Sequence, residues 1–228
     1  MALISKSKGR NENDGESGYE RLFGNHELGQ LLSRVHATVI SSGTELEKII
    51  VELSKTIDNV DVFINQKTLP NGIYLITKKA VKKSSLCTDR EPDLLIFEIA
   101  ENKQHCYIIE LKDGDTFDTK KAKGEVENLK HFENHVSRKL KFTTSIHICS
   151  FNQPDKEKII IGFKKQITSQ MAMTGNELCN LIGLNYKEIV SSRVGAQNEN
   201  LRYFIESILN IDAVKKLAID FKINNNGI

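Results

Sequence analysis

Residues 91–115 read EPDLLIFEIAENKQHCYIIELKDGD. Leu94 to Ala100 and Cys106 to Leu111 are apolar runs rich in β-formers, and Glu101 to His105 between them is polar and turn-like. Two such runs around a short polar loop predict a β-hairpin. Side chains alternate along a strand, so Asp93, Leu95, Phe97 and Ile99 share one face, as do Cys106, Ile108, Glu110 and Lys112. A turn centred on Asn102 and Lys103 sets Asp93 opposite Lys112 and Leu95 opposite Glu110. Directly opposed residues project to the same side, so Asp93, Glu110 and Lys112 converge on one patch. A slip of one residue would send Asp93 to the other face.

Two carboxylates on one patch repel each other unless something positive stands between them. Mg²⁺ answers that need, because it takes oxygen ligands and commonly uses one or two carboxylates with water and substrate phosphate. The backbone carbonyl of Leu111 is a further candidate ligand. A bound divalent ion lowers the pKa of its water and neutralises charge on a phosphoryl oxygen. Lys112 would orient that water or stabilise the charge developing on the phosphate. Acidic residues at strand ends are common and an isolated Glu-x-Lys carries little information. The signal lies in order, spacing and strand context together, because charges inside apolar runs are costly unless used or paired.

The arrangement of Pro92, Asp93, Glu110 and Lys112 resembles the PD-(D/E)xK nuclease superfamily. That resemblance implies a mixed sheet flanked by helices, Mg²⁺-dependent cleavage, and DNA as the substrate. Members often add an acidic residue from a helix preceding the hairpin. Here SSGTELEKIIVELSKTI (41–57) supplies Glu47, which follows Gly43 in a Gly-x-x-Leu-Glu pattern as in several restriction enzymes of the superfamily, with Glu45 as the fallback. The resemblance covers residues 43 to about 125.

Residues 26–40 and 44–57 read as helical, with Leu28, Leu31, Leu32, Val35 and Val39 on one stripe and Leu46, Ile49, Ile50 and Leu53 on another. Gly43 either kinks one long helix or separates two. Ile73 to Thr77 is a strand candidate, Thr119 to Leu140 a helix with Val126, Leu129, Phe132 and Val136 inward, and Ser145 to Phe151 and Lys158 to Phe163 two further strands. Helices alternating with strands in this order predict an α/β/α sandwich around a mixed sheet. From Thr168 the chain reads as mainly helical, with Thr174 as a cap and Glu177 three residues on, then Leu201, Phe204, Ile205, Ile208 and Leu209. The expected organisation is a flexible arm over 1–24, a nuclease core over 25–167, and a helical part over 168–228 that recognises DNA, forms a dimer interface, or completes the fold. The last residues, KINNNGI, read as a frayed tail.

The chain has 228 residues, 39% hydrophobic and 27% charged, with no Trp. These values suit a single globular domain. No apolar run approaches a membrane span, and MALISKSKGRNENDGESGYE at the start lacks the apolar stretch of a secretory signal. Cys87, Cys106, Cys149 and Cys179 are spread without a CxxC pair, which predicts reduced thiols in a cytoplasmic protein rather than a disulfide framework or zinc site. His131 and His135 stand at i and i+4, but the intervening Phe-Glu-Asn does not match the zinc-protease pattern.

The net charge is only +2, yet an acidic metal site subtracts from the total and distribution matters more than the sum. Among the basic clusters (Lys78–Lys79, Lys82–Lys83, Arg138–Lys139–Lys141 and Lys164–Lys165 included), Lys120, Lys121 and Lys123 follow the Glu-Leu-Lys segment most closely and are the expected phosphate contacts. KEIVSSRVGAQNENLR (187–202) reads as a loop rich in side chains that contact base edges, Arg193 and Gln197 among them. No Gly-rich phosphate loop or motor motif is present in the sequence, so no nucleotide cofactor is expected. The resulting expectation is a type II restriction endonuclease. It would cut double-stranded DNA at a short sequence by Mg²⁺-assisted hydrolysis, as a homodimer whose two-fold axis matches a palindromic target. The alternatives are a repair or junction-resolving nuclease on the same core, or a non-catalytic DNA-binding module.

Overall fold

The structure, a computed structural model, describes residues 2–9 and 17–225. It divides into two compact units, Met1–Leu46 with Lys187–Ile228, and Glu47–Tyr186. The boundaries expected from sequence fell after residues 24 and 167. In the structure residues 168–186 belong with the sheet, while the later helices share a unit with the N-terminal segment.

The second unit is built on a five-stranded mixed sheet of order β1-β2-β3-β4-β5. The strands are β1 (Gly72–Thr77), β2 (Leu94–Ala100), β3 (Lys103–Lys112), β4 (Thr143–Ser150) and β5 (Ala172–Thr174). β1, β2 and β3 run antiparallel in turn, and β4 and β5 are added in parallel. The predicted hairpin is present, with a different register. Leu94 pairs with Ile109 and Ala100 with Lys103 across a turn at Glu101 and Asn102. Carried one residue on, this sets Asp93 level with Glu110 rather than with Lys112. The change is two residues, so every side chain keeps its face.

One face of the sheet carries Phe97, Leu95, Cys106, Ile108 and Ile148, all fully buried. They pack with α3 (Val60–Ile64), α4 (Lys78–Val81), α5 (Thr119–Val136) and α6 (Lys156–Gly162). Phe97 meets Phe63 and Phe142 edge-on at centroid distances of 5.7 and 4.8 Å. Full burial of each such side chain contributes about 1.5–3 kcal/mol. On the other face Leu75, Leu94, Ile96, Ile109 and Cys149 are equally buried. Both faces of the β2–β3 hairpin are therefore apolar, which is why its strands read as near-continuous hydrophobic runs. α7 (Gly175–Ile182) begins with the predicted capping box, Thr174 accepting from the Glu177 amide while Glu177 accepts from the Thr174 amide.

Of Lys158 to Phe163, predicted as a strand, all but the last residue lie in helix α6, and Phe163 is its C-cap. Asp155 caps it by accepting from the Glu157 amide, and at helical spacing Ile159 and Phe163 turn to the core while Ile161 is 60% exposed. A helix is also what the topology needs, because parallel neighbours such as β4 and β5 require a crossover. The three-residue β5, in a region read as helical, is too short to leave a periodic signal.

In the first unit lie α1 (Gly18–Phe23), α2 (His26–Leu53) through Leu46, α8 (Tyr186–Asn210) from Lys187, and α9 (Asp212–Asn225). α2 is one continuous helix through Gly43. Leu28, Leu31 and Val35 pack with Ile4, Phe204, Ile208 and Ile211, whereas Val39 of the predicted stripe is 70% exposed. The arm expected over 1–24 is held where it is described. The Ile4 amide donates to Asn200 Oδ1 at 2.8 Å, and Asn200 Nδ2 donates to the Ala2 carbonyl at 2.8 Å. Residues 10–16 of that arm, and 226–228 of the expected tail, lie outside the described residues. Residues 187–202, read as a loop, are part of helix α8.

Two outcomes test this packing. A Cβ at Gly162 would overlap the Asp115 carbonyl, whereas one at Gly124 on α5 meets open space. Gly162→Ala is expected to destabilise by about 1–3 kcal/mol or more and Gly124→Ala to stabilise by up to about 1 kcal/mol, read by denaturant unfolding. The second concerns His147 on β4, which burial, with help from His105 and Lys156, pushes down to about 4. Folded His147 stays neutral while the unfolded residue takes up a proton below its usual 6.5, so its contribution is lost as pH falls from about 6.5 toward 4. Replacement by Gln is expected to flatten the acid side of the stability profile by up to about 3 kcal/mol.

Candidate active site

The hairpin ends bring the motif residues together. Asp93 stands just before β2 and Glu110 on β3, 9% and 8% exposed. The Leu111 amide donates to Asp93 Oδ2 at 3.0 Å, and the Lys78 amide donates to the Asp93 backbone carbonyl at 3.1 Å. Asp93 is thus fixed both through its side chain and through its main chain. The Lys112 carbonyl accepts from the Phe151 amide on the β4 side. Since successive peptides alternate direction, the Leu111 carbonyl faces the Asp93 side with its own amide.

Two lysines meet the buried carboxylates. Lys78 Nζ, from the start of α4, donates to Asp93 Oδ1 at 3.3 Å. Lys112 Nζ donates to Glu110 Oε1 at 2.6 Å and to Glu125 Oε1 on α5 at 2.9 Å. Burial, then the charge of Asp93, pushes the Glu110 carboxyl up to about 7, with Lys112 pulling the other way. For Lys112 burial opposes the charge, but Glu110 and Glu125 outweigh it and hold the ammonium above its ordinary value. Lys78 behaves alike, burial opposing and Asp93, Glu110 and Glu47 prevailing. Glu47, half-buried on α2, is raised by burial and by Asp93, and is drawn down by Lys78 and Lys112. Its field is felt at the same site as the motif residues.

Four carboxylates, those of Glu47, Asp93, Glu110 and Glu125, therefore face two ammonium groups, those of Lys78 and Lys112. The excess is acidic and lies in a partly desolvated place, which a divalent cation would offset. Among the described residues no three His, Cys, Asp or Glu side chains are grouped to hold an ion by themselves. What the chain offers is Asp93, Glu110 and the Leu111 carbonyl. That small oxygen set fits an ion whose remaining shell is water and phosphate oxygen.

α5 is aimed at Lys112 by the loop before it. Asn152 Nδ2 donates to the Asp113 carbonyl and side chain at 2.9 and 2.8 Å, Gln153 Nε2 to Asp115 Oδ2 at 2.7 Å, and the Phe117 amide to the Gly162 carbonyl at 3.2 Å. Asp118 then caps the helix by accepting from the Lys121 amide. Glu125 was missed by sequence reasoning, although a signal existed: it lies between Ala122 and Leu129 at i+3 and i−4, a charge within the buried stripe of α5. Lys78 was seen only as part of a basic pair. Glu91, 6% exposed, was also missed; its Oε1 accepts from the Thr88 amide at 3.1 Å and holds the turn before Pro92.

Lys120, Lys121 and Lys123 are exposed on the first turns of α5 and Gln197 is exposed on α8. Arg193, expected to contact DNA, is 3% exposed, and its guanidinium donates to Ser42 Oγ at 3.1 Å within the first unit. It faces inward because α8 is a helix, where the expected loop would have left it outside. Glu45 belongs to the first unit, two residues before Glu47, where the unit that holds the sheet begins.

No family model matches the chain, and no solved structure matches it. A curated protein, the type II restriction enzyme HhaII of Haemophilus parahaemolyticus, is 47% identical over 224 residues, 95% of this chain and 97% of the relative. The similarity covers nearly the whole of both proteins, and the chain belongs to the family of type II restriction enzymes.

Proposed function

We propose that the protein cuts double-stranded DNA at a short specific sequence by Mg²⁺-dependent phosphodiester hydrolysis, with chemistry of the PD-(D/E)xK kind. The observation that carries this reading is the buried pair Asp93 and Glu110 with Lys112 2.6 Å from Glu110, on a chain related along its length to a restriction enzyme.

Asp93, Glu110 and the Leu111 carbonyl would hold the ion. Bound there, Mg²⁺ lowers the pKa of a water and neutralises charge on a phosphoryl oxygen. Lys112 is an ammonium between two carboxylates. It is therefore a donor, suited to orienting the attacking water and stabilising the charge that develops on the phosphate. Glu125 keeps that ammonium turned toward Glu110. Glu47 supports the acidic site or its waters, and Lys78 offsets Asp93 until the ion arrives. Lys120, Lys121, Lys123 and Gln197 are exposed and supply outlying DNA contacts. A homodimer would present two such sites related by a two-fold axis, one for each strand of a symmetric target. Among the described residues no helix is long and apolar enough to cross a membrane, in keeping with a protein that acts on DNA in the cytoplasm.

Incubation with a large mixed-sequence DNA is expected to give discrete fragments with Mg²⁺ and none with EDTA. Lys112→Ala should lower kcat roughly 10²–10³-fold while still binding DNA. A smear in place of discrete fragments would remove sequence specificity from the reading, and undiminished cutting by Lys112→Ala would remove the site. Glu125→Ala forfeits a charge-assisted hydrogen bond of about 1.5–3 kcal/mol, so kcat is expected to fall about 10–100-fold at unchanged KM, with Glu125→Gln recovering part of it.

A further inference from the structure

Two hollows open beside the acidic pair. One, about 350 Å³, has Glu110 and Glu125 in its lining together with Arg90 and Asn128. The other, about 480 Å³, has Glu47 and Asp93 together with Lys79 and Lys83. Lys78 and Lys82 line both, so they form a cationic ridge between the two hollows. The side chain of Lys82 is 58% exposed and that of Arg90 61%. Arg90 Nη1 donates to Asn128 Oδ1 at 2.5 Å, which ties the guanidinium to the wall of the Glu110 hollow. Neither hollow is lined by Lys120, Lys121 or Lys123.

A phosphate approaching four carboxylates is repelled unless cations stand at the rim. Here the rim supplies them. Lys78 and Lys82 are one helical turn apart, a rise of about 6 Å, on the scale that separates neighbouring phosphates along a strand. Asp89 also lines the Glu110 hollow and lies 3.9 Å from Arg90 Nε, but its side chain is 73% exposed and its pairing correspondingly weak. Lys82 is likewise only loosely held, 3.9 Å from Glu91.

We propose that Lys82 and Arg90, with Lys78 between the hollows, bind the phosphates that flank the scissile bond on the strand being cut. This track runs over α4 and the turn before Pro92, and is distinct from the contacts expected at the start of α5. It rests on the nuclease reading for its substrate, and binding measured apart from cleavage separates the two.

The test is the affinity of the full-length protein for a mixed-sequence DNA duplex in EDTA, over a series of salt concentrations. Lys82→Ala and Arg90→Ala are expected to weaken binding, roughly tenfold when combined, and each to lower the slope of log K against log salt by about 0.9. Lys82→Arg should restore the slope, and thermal melts of both exposed-site variants should match wild type. Affinity and slope unchanged in the variants, affinity lost at unchanged slope, or no measurable binding by wild type would each overturn the proposal. If wild type cuts DNA with Mg²⁺ while the variants bind as it does, the track falls and the nuclease reading stands. If wild type does not cut but the slopes fall, the track stands without the chemistry.

Discussion

Two carboxylates, Asp93 and Glu110, are each less than a tenth exposed and stand level with one another at the mouth of a hairpin. Their mutual repulsion is the constraint around which the site is arranged. Burial removes the water that would screen them, and the rise of the Glu110 carboxyl to about 7 is the direct consequence. Lys78 and Lys112 offset the repulsion from opposite sides, one from α4 and one from β3 itself. Each lysine is in turn held charged by the acids it serves, so the cluster is mutually dependent: removing one buried partner leaves another uncompensated, which costs far more than a surface ion pair is worth. An arrangement of this kind contributes little to stability that apolar packing could not supply.

Holding the acids in place depends on the sheet. Leu95, Phe97, Cys106 and Ile108 share the face of Asp93 and Glu110 and are fully buried, so a one-residue slip would carry the acids to the other face and force two close-packed apolar sets to exchange places. The register found differs by two residues from the one the turn suggested, and nothing on the face changes. Parity is fixed by the close packing of two different buried faces and by the polar surroundings of the acids on one of them, while the choice between registers of equal parity is left to the turn at Glu101 and Asn102. The parallel strand β4 matters for a different reason. Its exit loop, through Asn152 and Gln153, fixes the segment after Lys112 and so aims α5. A helix that is apolar along Ala122, Val126, Leu129 and Phe132 can then bring one acid, Glu125, to the lysine.

The relative's identity along the chain establishes the family, and the chemistry is argued from this chain's own side chains. Order, spacing and strand context in the sequence point to the same three residues, Asp93, Glu110 and Lys112, that the fold brings together.

The sequence by itself determined what depends on local alternation and short-range hydrogen bonding. These are the hairpin, the face shared by Asp93, Glu110 and Lys112, the inward stripe of α5, and the cap at Thr174. Strand and helix periodicities are set by backbone geometry, so they are legible without knowing the neighbours. Tertiary structure decided what depends on who those neighbours are. Ile159 to Phe163 is compatible with strand or helix, and the crossover between parallel strands settles it as helix. Arg193 looked like a loop residue free to meet DNA, and the helical course of α8 buries it against Ser42. Lys78 and Glu125 lie 15 and 13 residues from the acid and the lysine they contact. Only packing can place them there, because attraction between charges acts over a few ångströms in space and leaves no period in the chain.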